Sequence, residues 1–120
     1  MPLILVLEDN ELISLMLEDW LRELGCTILG PASSAAKASA LIAGTMPDAA
    51  FLDVSVSDGD CSAIADALRQ RGIPLTFSTG GGNDELVMRF RGSGVLHKPY
   101  DFSGVKAAVH RMLGTVTPQP

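Results

Sequence analysis

The sequence predicts an α/β domain built on a doubly wound, five-stranded parallel sheet, and three observations carry that prediction. Five short apolar runs recur along the chain, each followed by a segment whose apolar residues fall at helical spacing. Glycine or proline stands at most of the junctions between them. Parallel neighbours need crossovers and crossovers are right-handed, so such repeats lay helices over both faces of one sheet.

The first run, Leu3 to Leu7, reads as a buried strand. Ile13, Met16, Leu17, Trp20, Leu21 and Leu24 then supply the apolar face of a helix that Gly25 stops, with Trp20 assigned to core packing. Residues 26–29 form a short second strand. Ser33 or Ser34 caps an alanine-rich helix that carries Leu41 and Ile42 and ends at Gly44, with Pro47 beyond it. Residues 49–52 make the third strand, which ends at Asp53. Asp58-Gly59 reads as the turn opening a third helix built on Ile64, Ala65 and Leu68 and closed at Gly72. Pro74 introduces a fourth strand over residues 75–78. The fourth helix is expected to be short or mobile: Gly80, Gly81, Gly82 and Asn83 open it, Gly92 and Gly94 close it, and only Leu86, Val87 and Phe90 offer an apolar face. Val95 and Leu96 are the last strand. Asp101 caps a final helix using Phe102, Val105, Val109 and Met112, which Gly114 stops. Residues 1–114 are therefore expected to form one domain, with residues 115–120 a flexible tail.

Composition narrows the function classes. With 120 residues and 47% hydrophobic content, the chain supports one core and has no room for two. A formal charge of -5 argues against direct nucleic-acid contact and against an anionic membrane surface. Leu3 to Leu7 has no basic segment before it and is too short for a signal-peptide core or a membrane span, so a cytoplasmic location is expected. Cys26 and Cys61 show no metal or redox spacing and read as buried, reduced thiols.

Strand carboxyl ends share one edge in such a sheet, and ligands bind there. Glu8, Asp9, Asp53, Thr79 and Lys98 all fall on that edge. Crowded carboxylates raise one another's proton affinity unless a cation intervenes, and a hard divalent ion with oxygen ligands, Mg²⁺ above all, resolves the conflict. Asp9 and Asp53 are expected as direct ligands and Glu8 through water; Ser55 is placed with them in the metal set. Phosphoryl transfer needs mainly positioning and charge neutralisation, so Asp53 reads as the nucleophile, flanked by the metal and by Lys98. Thr79 can donate its hydroxyl to a phosphoryl oxygen, Gly80 leaves room for the incoming group, and Pro99 aims Lys98 inward, a turn compatible with a cis bond.

Other readings fare less well. Glu8-Asp9 alone could merely supply charge near a helix N-terminus, but Asp53 and Lys98 make that insufficient. An aspartate-nucleophile phosphatase would need a second carboxylate where Ser55 stands. A flavin carrier would need a phosphate loop where Glu8-Asp9-Asn10 would repel phosphate. Gly80 to Gly82 follow the fourth strand rather than the first, which speaks against a dinucleotide fingerprint. His97 and His110 read as peripheral. Lys98 could also be a structural partner of Asp53 without phosphorylation.

The acidic pair Glu8-Asp9, Asp53 in FLDVSVSDG, Thr79 and Lys98-Pro99 together resemble the response-regulator receiver domain over nearly the whole chain. That resemblance implies a flavodoxin-like fold of strand order 2-1-3-4-5. It also implies Mg²⁺ as cofactor, metal ligands at the acidic residues, Asp53 as phosphoacceptor, Thr79 as switch hydroxyl and Lys98 as phosphate-binding lysine. Residues 74–82, PLTFSTGGG, are similar to the Pro-Phe-x-Phe-Ala-Thr-Gly-Tyr-Gly stretch of stand-alone receivers, common in alphaproteobacteria and associated with HWE-type histidine kinases. Gly81 stands where that subgroup has an aromatic.

The resemblance implies a phosphoryl group taken from a histidine kinase or a phosphotransfer protein by a self-modifying acceptor rather than a turnover enzyme. Output would pass through contacts with a downstream protein or by acting as a phosphate sink; a pseudo-receiver serving as an interaction module is the alternative. Val95 occupies the position, three residues before the lysine, where typical receivers carry a switching Tyr or Phe. Ordering of the stretch from Gly80 to Gly94 on phosphorylation is expected in its place. Ser55 and Gly81, both small, suggest a water-accessible site.

Overall fold

Strand β1 (Leu3–Leu7) is apolar throughout because both of its faces are covered: Ile4 and Val6 enter one core cluster, Leu5 and Leu7 the other. The computed structural model describes residues 1–81, 84–90 and 92–114. After β1 the chain runs through α1 (Glu11–Glu23), β2 (Thr27–Ala32), α2 (Ala35–Gly44) and β3 (Ala49–Asp53). A two-residue hairpin, β4 (Ser55–Val56) and β5 (Gly59–Asp60), precedes α3 (Ser62–Gln70). The remaining elements are β6 (Leu75–Thr79), α4 (Asp84–Arg89), β7 (Gly94–His97) and α5 (Phe102–Leu113).

The five-stranded sheet is parallel throughout and runs β2-β1-β3-β6-β7. Because the hairpin interrupts the numbering, β6 and β7 are the expected fourth and fifth strands, and this is the flavodoxin-like order 2-1-3-4-5. Leu17 and Leu21 of α1 pack with Val105 and Val109 of α5 on one face. Ala38 and Ile42 of α2, Ile64 and Leu68 of α3, and Phe90 after α4 cover the other. Both cysteines are buried free thiols, and burial pushes Cys61 up to about 12. Among the described residues, no helix is long and apolar enough to cross a membrane.

Several expectations change. The second strand begins at Thr27 and extends to Ala32 rather than spanning residues 26–29. It passes through a cis Gly30–Pro31 bond with a register shift against β1 between Leu5 and Leu7. Gly30 is required there: its φ is +104°, and a Cβ would stand 2.8 Å from the Ala32 nitrogen. The last strand covers Gly94–His97, not Val95 and Leu96 alone. Asp58-Gly59 does not open α3. Asp58 lies in the hairpin turn, and its carboxylate accepts the Ala35 and Ala36 amides at 2.8 and 3.0 Å, capping α2 alongside Ser34. Those amides hold the Asp58 carboxyl below its ordinary pKa.

On α1, Leu17, Leu21 and Leu24 are buried and Trp20, half-buried, packs against the same core as expected, whereas Met16 is 40% exposed and the buried face also takes in Ser14 and Glu18. Ile13, Met16 and Trp20 line a small apolar hollow with Pro99 and Tyr100. The fourth helix is short, at six residues. Gly82 and Asn83, expected to open it, and the tail at residues 115–120 lie outside the described residues.

Candidate functional site

Sheet register gathers the site. Leu7 pairs with Leu52, Asp53 with Ser78 and Thr79 with His97, so the next residues outward from β1 and β7 are Glu8 and Lys98. The Lys98 amide continues the pairing with a 2.8 Å bond to the Thr79 carbonyl, and a cis Lys98–Pro99 bond follows. Asn10 caps α1 by accepting the Ile13 amide at 3.0 Å. Its own amide donates to Glu8 Oε2 at 3.0 Å, which fixes the first acidic side chain.

Glu8, Asp53 and Thr79 are only 3%, 4% and 5% exposed, whereas Asp9 is exposed. Lys98 Nζ donates to Asp53 Oδ2 at 3.0 Å and to Glu8 Oε2 at 3.1 Å. Burial first, and then the neighbouring Glu8, raise the Asp53 carboxyl above its ordinary pKa against the opposing pull of Lys98. Burial lowers the Lys98 ammonium, but its bonds to Glu8 and Asp53 outweigh this and leave its pKa raised. The Ser55 amide donates to Asp53 Oδ1 at 3.3 Å. Thr79 Oγ1 accepts the Gly81 amide at 3.0 Å, at a glycine with φ of +109°. The acceptor side of that hydroxyl is thus engaged and its hydrogen can be donated elsewhere.

Glu8, Asp9 and Asp53 each offer an oxygen within 4.8 Å of the others, an all-oxygen donor set suited to a hard divalent cation. Glu8 Oε1 is buried without a hydrogen-bond partner, although Lys98 Nζ lies 3.0 Å away as an ion pair. An under-coordinated carboxylate oxygen beside two other carboxylates fits a metal. A cleft of about 330 Å³ opens beside the cluster, with Glu8 and Asp9 in its wall.

All five edge residues expected from the sequence therefore lie together. His97 is exposed and His110 half-buried. Val95 is half-buried and pairs with Phe77 across β6 and β7. Tyr100 was not singled out by sequence reasoning. Its hydroxyl is buried without a hydrogen-bond partner, and burial, then the charges of Glu8 and Asp53, raise its pKa. Its place two residues after Lys98 was the only available signal.

No family model matches the chain. It is 31% identical over 110 residues to the transcriptional regulatory protein PdtaR of Mycobacterium tuberculosis, an alignment covering 88% of this chain and 54% of PdtaR. The chain thus spans about half the length of the curated relatives it matches. Among solved structures, SdrG from Sphingomonas melonis Fr1 matches with 40% identity and a TM-score of 0.82, covering 94% of this chain and 97% of SdrG. The BeF3-activated conformation of SdrG matches with 42% identity and a TM-score of 0.76, over 92% and 95% of the two chains. The PhyR response regulator REC domain of Erythrobacter litoralis is 28% identical, with a TM-score of 0.81 over 99% and 95%. Agreement at 40% identity along nearly the whole of both chains is a likeness of sequence as well as backbone, and this chain belongs to the receiver-domain family of response regulators in two-component signalling.

Proposed function

We propose that the protein accepts a phosphoryl group on Asp53 from a phosphohistidine of a histidine kinase or phosphotransfer protein. The observation that carries this reading is Lys98 Nζ lying 3.0 Å from Asp53 Oδ2 at the edge where Glu8, Asp9 and Asp53 converge. An Asp53 oxygen attacks phosphorus, the P–N bond breaks, a P–O bond forms, and the imidazole leaves to take up a proton. Glu8, Asp9 and Asp53, with Ser55 beside them, would hold Mg²⁺, which supplies charge neutralisation at the phosphoryl oxygens when bound. Lys98 neutralises a further oxygen, and Thr79 turns its hydroxyl hydrogen toward the group. The chain thereby modifies itself and turns over no separate substrate.

The donor is proposed to be an HWE-type kinase, on the strength of the resemblance of the PLTFSTGGG stretch to stand-alone receivers associated with such kinases. Output passes through protein contacts or through competition for phosphate. The decisive experiment is intact-mass analysis after treatment with a small phosphodonor, with and without Mg²⁺, on wild type and Asp53→Asn. A Mg²⁺-dependent adduct on wild type alone is expected. No adduct on wild type would favour the pseudo-receiver, in which Lys98 simply pairs with Asp53; an adduct on the variant would displace Asp53 as the acceptor.

A further inference from the structure

The cleft of about 330 Å³ beside the acidic edge runs between α1 and the end of β2. Its α1 wall is made by Glu11, Ser14, Leu15 and Glu18, which recur at i, i+3, i+4 and i+7 and so share one helix face. Pro31, Ala32 and Ser33 supply the other wall. No lysine, arginine or histidine lines the cleft, whereas Glu8, Asp9, Glu11 and Glu18 all do. A solvated acidic face accounts for Asp9 and Glu11, which are exposed, but not for Ser14 and Glu18, which are 4% and 8% exposed. Ser14 Oγ is buried without any hydrogen-bond partner, and a hydroxyl left so forfeits a bond that a donor in the cleft restores. Glu18 Oε1 accepts from Arg22 at 3.3 Å, but that arginine side chain is 59% exposed, so the pair is weak and readily shared. Glu11 and Glu18 are separated by two helical turns, roughly 10 Å along the axis, and Ser14 stands between them. Leu15, Pro31 and Ala32 offer apolar surface along that span. The net charge of -5 draws cations toward the chain.

We propose that this cleft binds a linear aliphatic triamine, with its end ammonium groups at Glu11 and Glu18, its central ammonium donating to Ser14 Oγ, and its methylenes against Leu15, Pro31 and Ala32. Glu8 and Asp9 add negative potential at the first end. The site does not depend on phosphorylation.

The test is an amide NMR titration of the full chain in physiological salt, with and without excess Mg²⁺, using spermidine, putrescine and octamethylenediamine as probes. Saturable shifts at Ser14, Leu15, Glu18 and Ser33 are expected with spermidine, and they should persist in Mg²⁺. Putrescine is too short to span the two glutamates and should bind about tenfold more weakly, for want of one charged hydrogen bond. Octamethylenediamine has the length of spermidine without its central nitrogen and should fall between the two. Glu18→Gln should weaken spermidine about tenfold. Ser14→Ala should weaken spermidine severalfold and leave octamethylenediamine unchanged, a difference that a general loss of structure would not produce. Alanine favours the helix and glutamine keeps the shape of Glu18, so both variants are expected to fold, which the spectra themselves report. Glu23→Gln, on the same helix but outside the cleft, should bind like wild type. The proposal is overturned by absence of saturable shifts with spermidine, or by shifts that vanish in Mg²⁺ and so place the amine on the metal cluster. Wild-type affinity in Glu18→Gln, an equal effect of Ser14→Ala on both long amines, or a loss in Glu23→Gln as large as in Glu18→Gln would overturn it too.

Discussion

Lys98→Met removes the ammonium while keeping most of the apolar stem, and so tests what the charge does at the acidic edge. In wild type the ammonium lies 3.0 Å from both Glu8 Oε1 and Asp53 Oδ2, whose side chains are 1% and 6% exposed. Breaking a buried charge pair from one side costs about 3–5 kcal/mol. Protonation sets a ceiling, because a carboxylate of ordinary pKa is neutralised at pH 7 for about 4 kcal/mol. The lysine side chain is itself 20% exposed, which favours the lower end, about 3 kcal/mol. For a chain of this size that corresponds to a fall in Tm of roughly 10–15 °C. The assay is thermal and urea unfolding in chelating buffer at pH 7, repeated across pH. Lys98 has a raised pKa, so its contribution is fully present below the unfolded lysine value of about 10.4 and fades as pH rises through the folded one. The deficit of the variant should therefore be level near neutrality. It should shrink in acid as Asp53 takes up its proton, and again in strong alkali. A loss under about 1 kcal/mol at pH 7 would refute the reasoning, since buried carboxylates cannot lose their counter-charge so cheaply.

Two further outcomes follow from the same geometry. The raised pKa of Asp53 means that the folded state binds more protons than the unfolded one between the ordinary and raised values, so this residue lowers stability as pH climbs through that window. Asp53→Asn should accordingly unfold at or above the wild-type temperature in chelator at neutral pH, and Mg²⁺ should stabilise wild type more than the variant; a less stable variant in chelator would contradict this. Asn10→Ala removes the side-chain cap of α1 beside Glu8 and should cost about 1 kcal/mol in urea unfolding, leaving the slope with denaturant unchanged.

The alternation of apolar runs with helical spacing was enough to read five parallel strands and five helices, because burial of a parallel sheet on both faces writes itself into consecutive residues. Leu3 to Leu7 is the plain case. The acidic edge was equally legible: polar residues at the ends of apolar strands must lie together once the strands are parallel, and Glu8, Asp9, Asp53, Thr79 and Lys98 do. Features that depend on contacts between distant segments were not legible. Asp58 looked like a local turn residue, yet it caps a helix more than twenty positions earlier. The extension of β2 through Gly30–Pro31 depends on pairing with β1, which no local propensity encodes.

What the sequence by itself determined is the set of groups at the carboxyl edge, since periodicity and residue type fix which of them arrive there. Only the tertiary structure decided how those groups are charged and which of them are buried. Burial of Glu8 and Asp53 beside one lysine, the unpartnered Tyr100 hydroxyl, and the packing of Arg111 over Gly94 all arise between residues far apart in the chain. Desolvation and Coulomb interaction act through space, so their outcome becomes definite only when the fold has set the distances.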